Sequence, residues 1–288
     1  MRIPEVKFTF CKQKDCIKIE PKDSRGADLH KKNTLLPSNV RAIICSPSHG
    51  GKTTIMLSLL ESINGLKFLN LYLFSPSINQ PKYVRLYHVL SRVPGLGVFF
   101  NPDISNLEIL PYSCVVLDDC QAGSMYLDLI SRLFSHGRHA NIDVFYLVQS
   151  YAKVPKHLIR DNCNLICALR QDSRNLSHIF QDHCFGDMDY TRFLSMTRQI
   201  WQKPFGFLVI SSESDINSGK YRCGFDTFVT NVVPEDTSCE IGACRSYESG
   251  AEKVPCSPKG SDRVRSSGGK TVKTSGRSPA KYRLVGKE

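Results

Sequence analysis

Nine consecutive residues, Ser46-Pro47-Ser48-His49-Gly50-Gly51-Lys52-Thr53-Thr54, carry the side chains and the small turn that phosphate binding requires. A glycine-rich turn lets backbone N–H groups approach an anion, and a following helix adds the positive end of its dipole. Lys52 can neutralise the β- and γ-phosphates, and Thr53 can offer its hydroxyl to Mg2+. Ser48, His49, Gly50, Gly51, Lys52, Thr53 and Thr54 are therefore the candidate nucleotide contacts. Gly-Lys-Thr alone also fits a surface turn that caps a helix. Its flanks decide: the apolar run Val40, Ala42, Ile43, Ile44, Cys45 leads in and Ile55-Met56-Leu57-Ser58-Leu59-Leu60 leads out, which is the strand–loop–helix context of a P-loop. The usual pattern opens with glycine five residues before Gly51, and Ser46 stands there.

A second stretch, Ser113-Cys114-Val115-Val116-Leu117-Asp118-Asp119, ends an apolar run in two adjacent carboxylates. Asp favours helix starts, so two caps are one reading. Beside a P-loop the other is preferred: Asp118 holds the metal through water or through Thr53, and Asp119 orients or deprotonates an attacking water. A third run, Phe145-Tyr146-Leu147-Val148-Gln149, ends in an amide that can sit at the γ-phosphate. Phosphoryl transfer also needs a guanidinium for the developing charge. Arg138 and Arg160 are the candidates, each able to act across a subunit boundary, with Arg170 and Arg174 weaker choices.

These groups need a sheet to hold them. Short runs rich in Val, Ile, Leu, Phe and Tyr predict strands at 40–45, 68–74, 113–118, 142–148, 163–169 and 205–211. Helical segments are predicted between them, at 52–64, 80–93, 121–135, 154–161, 173–183 and 187–199. That alternation predicts an α/β fold with a mainly parallel sheet covered on both faces. Val6–Phe10 reads as an edge strand followed by a basic linker. Residues 220–228 read as a returning strand and turn, able to form an edge hairpin with 205–211. Trp201, Phe205 and Phe207 are expected to pack the last strand, with base stacking as the alternative.

The chain has 288 residues, a net charge of +11 and 41% hydrophobic residues, enough for one sizeable core and an acidic partner, nucleic acid first. No run reaches the roughly 18 apolar residues of a membrane span, and the first residues lack a signal-peptide core. The twelve cysteines are scattered without a Cys-x-x-Cys pair, which reads as a reduced intracellular protein without structural zinc. His136 and His139 lack a third ligand close in sequence. From Ala251 to Glu288 ten Lys/Arg face three Asp/Glu with no apolar periodicity, the composition of a disordered tail. The expected division is an N-terminal extension (1–37), an ATPase domain (38–234) and a disordered basic tail (235–288).

Taken in order, Ser-Pro-Ser-His-Gly-Gly-Lys-Thr-Thr, Val-Val-Leu-Asp-Asp, Leu-Phe-Ser-His-Gly-Arg-His-Ala-Asn-Ile, Val-Gln-Ser-Tyr-Ala-Lys-Val-Pro, Ile-Arg-Asp-Asn and Tyr-Arg-Cys-Gly-Phe-Asp-Thr-Phe resemble the FtsK/HerA-superfamily genome-packaging ATPases. The poxvirus-like branch, with its Polinton/Maverick and adintovirus members, is the group resembled over about residues 38–230. The resemblance implies a RecA/FtsK-like P-loop NTPase that hydrolyses ATP with Mg2+ and drives double-stranded DNA into a capsid. It implies a homo-oligomeric ring, with a hexamer as the first expectation, meeting capsid or portal-vertex proteins in an infected cell, in nucleus or cytoplasm, or on the virion. On this chain it assigns Gly51, Lys52 and Thr53 to phosphate and Mg2+, Asp118 and Asp119 to metal and water, Gln149 to sensing and Arg138 to the trans arginine. Asp119 stands where many superfamily members carry Glu. The alternative is a non-catalytic, nucleotide-binding DNA-binding or assembly protein derived from such an ATPase.

Overall fold

The structure, a computed structural model, describes residues 8–13, 35–62, 64–104, 108–120 and 124–232. The predicted basic linker and the predicted tail from 235 lie outside the described residues. Strands β1 (Thr9–Lys12), β2 (Arg41–Cys45), β3 (Asn70–Phe74), β4 (Gly97–Asn101), β5 (Ser113–Asp118), β6 (Asp143–Val148), β7 (Leu165–Ala168), β8 (Leu208–Ser211), β9 (Tyr221–Cys223) and β10 (Thr227–Thr230) join in one sheet. Its order is β1-β10-β9-β8-β7-β2-β6-β5-β3-β4. From β7 to β4 all neighbours are parallel, and the β8 side is an antiparallel meander. The fold is thus α/β with a mainly parallel sheet, as expected.

Alternation along each strand divides the core in two. Ala42, Ile44, Leu71, Leu73, Val116 and Leu147 face α1 (Lys52–Glu61) and α2 (Pro81–Leu90). Ile43, Cys45, Tyr72, Val115, Leu117 and Tyr146 face α3 (Ser124–His136), α4 (Ser173–His183) and α5 (Tyr190–Trp201). Parallel strands covered on both faces are nearly continuously apolar, and β5 and β6 are buried at every position. All six predicted strands form, within a few residues of their expected limits.

Three departures are informative. β4 was not expected: it is a half-buried edge strand beside β3, and at Gly97 the Asn70 side chain packs so close that a Cβ would lie 2.4 Å from its Oδ1 and make it move. Residues 154–161 form no α-helix, only a turn followed by a short 3-10 segment at Arg160–Asn162. The Asn162 side chain donates to Leu158 O at 3.1 Å, a local bond that competes with helix, while Arg160 turns inward. Finally, the β8–β9–β10 meander is not the sheet edge, because β1 pairs outside it. Of the aromatics expected against the last strand, Phe207 packs on Phe225, Trp201 donates to Ala168 O of β7 at 3.2 Å, and Phe205 is instead 89% exposed.

Candidate nucleotide site

The loop after β2 owes its shape to backbone signs. His49 (φ 61) and Gly51 (φ 109) are left-handed, the alternation that turns successive N–H groups into an anion-binding concavity. Gly51 is also the N-cap of α1, and α1 has no side-chain cap and no acidic residue in its first turn. By contrast α4 and α5 are capped by Asp172 and Asp189, which accept from Asn175 N and Arg192 N. The first-turn donors of α1 thus lack the carboxylate the other two helices supply, and an external anion can take its place.

Ser46 is absent from the left-handed positions, so its Cβ causes no strain and the usual opening glycine is not required. It is fully buried, its N–H donates to Val148 O at 3.1 Å, and its hydroxyl donates to Pro47 O at 3.0 Å. The demand for glycine moves to position 50. A methyl on Gly50 would lie 1.8 Å from Ser46 Oγ and 3.1 Å from Pro47 O. Gly50→Ala is therefore expected to weaken nucleotide binding by roughly 1–3 kcal/mol, the usual cost of overpacking, or about 5- to 150-fold. Adding Ser46→Gly relieves the worst overlap and should recover most of that loss in calorimetric titrations. Simple addition of the two single effects would refute the coupling.

β2, β6 and β5 are adjacent and parallel, so the loop, Gln149 and the two acids emerge at one end of the sheet. Lys52, 7% exposed, donates to Ser46 O at 3.2 Å and lies 3.6 Å from Asp119 Oδ1. Gln149 Nε2 donates to Asp119 Oδ2 at 3.0 Å, and Ser48 Oγ donates to Gln149 Oε1 at 3.2 Å. One chain of contacts therefore joins the loop, the β6 end and the β5 end. Asp119 itself is left-handed (φ 52) and its side chain is 43% exposed. Thr54 accepts from Lys82 Nζ at 3.1 Å.

Asp118 is buried, and Tyr83 of α2 donates to its Oδ2 at 2.5 Å. Burial raises its carboxyl above the usual carboxylate range and the Asp119 charge adds to this, while the Tyr83 bond and Lys52 oppose it. Burial, with Asp118 beside it, pushes the Tyr83 phenol far up. Sequence reasoning missed Tyr83. A tyrosine on an apolar helix face reads as core, and its polar partner lies on a distant strand.

The donors at this end, the Thr53 hydroxyl and the Asp118 and Asp119 carboxylates, are all oxygen. Mg2+ sites next to a nucleotide combine one or two carboxylates with phosphate oxygens, so the residues fit that ion. Among the described residues no group of three or more His, Cys, Asp or Glu is arranged to hold a metal by itself.

The arginines separate. Arg138 is exposed, in the 3-10 turn Gly137–Ala140 that precedes β6. The six residues of β6 put roughly 17 Å or more between it and Gln149, so within one chain it lies at the opposite end of the sheet. Arg160 is engaged: it pairs with Asp182 at 2.7 Å and lies over the Tyr151 ring. Arg170 and Arg174 are exposed beyond the end of β7.

The family described as Poxvirus A32 protein matches residues 108–242, a span that holds Asp118, Asp119, Arg138 and Gln149 and agrees with the poxvirus-like resemblance of the motifs. No curated protein matches the chain. Among solved structures, the genome packaging NTPase B204 of Sulfolobus turreted icosahedral virus 2 in complex with sulfate is similar at 12% identity and TM-score 0.40, over 62% of this chain and 93% of that one. Its complex with ATP-gammaS gives 12% identity and TM-score 0.40, over 62% and 94%. B204, the DNA-packaging ATPase of Sulfolobus turreted icosahedral virus, gives 11% identity and TM-score 0.36, over 62% and 94%.

Proposed function

We propose that this chain, similar to the Poxvirus A32 protein over residues 108–242, hydrolyses ATP to move double-stranded DNA into a viral capsid, working as a homo-oligomeric ring in an infected cell. The observation that carries the reading is the contact chain Ser48–Gln149–Asp119–Lys52 beside an uncapped helix N-terminus.

Each residue then has a physical task. Backbone N–H groups of the loop and of the first α1 turn receive the phosphates. Lys52 leaves Asp119 for the β/γ-phosphate oxygens, exchanging one anionic partner for another. Thr53 and Asp118 would hold Mg2+, which when bound neutralises charge on the phosphates. Asp119, released from Lys52 and still held by Gln149, accepts a proton from the attacking water. Gln149 touches both the loop and Asp119, so loss of the γ-phosphate alters its contacts on both sides. Arg138, at the far end of the sheet, can serve only the site of a neighbouring copy. A head-to-tail contact that closes gives a ring, and a hexamer is our first choice. The +11 charge suits the phosphate backbone of DNA and makes binding sensitive to salt. Capsid or portal-vertex proteins are the partners such a motor requires.

The test is the ATPase rate of the purified oligomer with and without double-stranded DNA, beside Lys52→Ala. We expect DNA stimulation in the wild type, and a loss of about 10²–10³-fold in Lys52→Ala, as for removal of one electrostatic donor. Hydrolysis no faster than in that variant, with DNA present, would overturn the motor reading and leave a nucleotide-binding assembly protein.

A further inference from the structure

We infer that Tyr83 is a positioning residue for the metal end of the site: its hydroxyl fixes the orientation of the Asp118 carboxylate. The inference rests on the nucleotide reading above.

This hydroxyl joins α2 to the end of β5. Gln80 is extended and Pro81 opens α2 at its first position, a preorganised start that places Tyr83 on the first turn. The side chain is fully buried, in the core cluster that also holds the α1 residues Ile55, Met56 and Leu59, with its ring edge-on to Phe100 of β4 at 6.4 Å. Phenylalanine would satisfy all of that packing. What phenylalanine lacks is the bond to Asp118 Oδ2 at 2.5 Å on β5.

A buried phenol needs a partner, and a carboxylate is a strong one because the bond is charge-assisted. The bond fixes the rotation of the Asp118 carboxylate and commits Oδ2, so that Oδ1 is the oxygen presented to a cation. The Asp118 oxygen that would meet the cation is thereby oriented before ligand arrives. Groups that orient metal ligands from behind commonly affect metal affinity by 10- to 100-fold.

The experiment uses the full chain and Tyr83→Phe, which removes one oxygen and keeps the ring. Affinity for a fluorescent ATP analogue is measured in EDTA and across a Mg2+ titration, and Mn2+ binding to the nucleotide complex is followed by electron paramagnetic resonance. We expect EDTA affinity to stay within about twofold of wild type, while the Mg2+ midpoint rises at least about tenfold and Mn2+ weakens in parallel. An unchanged Mg2+ midpoint overturns the inference. So does an equal weakening with and without metal, which marks Tyr83 as a packing residue only. If the wild type binds no nucleotide, or binds it without regard to Mg2+, the nucleotide reading itself has failed, and that outcome is recognised because it appears before any substitution is made.

Discussion

Asp119→Asn is expected to bind ATP normally and to turn it over roughly 10²–10⁴-fold more slowly, the range for loss of a general base. The substitution separates charge from backbone unusually well. Asp119 has φ 52, and Asn is one of the few residues that visit the left-handed region readily. Alanine there would add about 1–2 kcal/mol of backbone strain to any chemical effect. An Asn carbonyl can still accept from Gln149 Nε2, as Asp119 Oδ2 does at 3.0 Å. What disappears is the capacity to take a proton and the attraction to Lys52 at 3.6 Å. Single-turnover hydrolysis and nucleotide affinity, measured on the same preparation, check this. Hydrolysis within threefold of wild type would remove Asp119 from the chemistry.

Arg222→Ala is expected to cost on the order of 4 kcal/mol of stability while leaving the site residues in place. Arg222 is 2% exposed. Its Nε donates to Gly219 O at 2.6 Å, one terminal nitrogen to the carbonyls of Leu35 and Phe225, and the other to Ser214 Oγ at 3.2 Å. The guanidinium also lies over the Phe228 ring, 5.1 Å from its centroid. Burial pulls its pKa down to about 10, so it remains charged at neutral pH. No carboxylate pairs with it among the described salt bridges. It holds the β8–β9 connection, the turn before β10 and the segment leading to β2 through neutral acceptors. Truncation strands those acceptors, each at roughly 1–3 kcal/mol when water cannot reach it. The melting temperature should fall by about 8–16 °C, taking roughly 2–4 °C per kcal/mol for a domain of this size. Arg222→Lys should recover only part, since an ammonium cannot fork to several acceptors. Urea denaturation giving a loss under about 1 kcal/mol would show that the surroundings readjust.

The sequence made the sheet and the loop legible for a common reason: both depend on neighbours along the chain. The strands leading to Asp118 and Gln149 are continuous apolar runs, and α4 spans Ser173–His183 as its pattern predicts. What escaped depends on partners remote in sequence. Arg160 was one of two candidate arginines, but Asp182 draws it inward. Tyr83 resembles any core tyrosine until Asp118 is placed beside its hydroxyl. Ser46 departs from the P-loop pattern only as a letter. The backbone sign that makes the opening glycine necessary does not occur there, and the steric demand reappears at Gly50.

One pairing also sets an order of events during biosynthesis. Thr9 and Thr230, opposite each other in β1 and β10, are 221 residues apart in sequence. At about 5–20 residues per second the ribosome needs roughly 10–40 s to deliver the second after the first. For that interval the earliest of the described strands lacks the partner it has in the sheet, and the nascent chain must keep an open edge from recruiting strangers until the β9–β10 hairpin arrives.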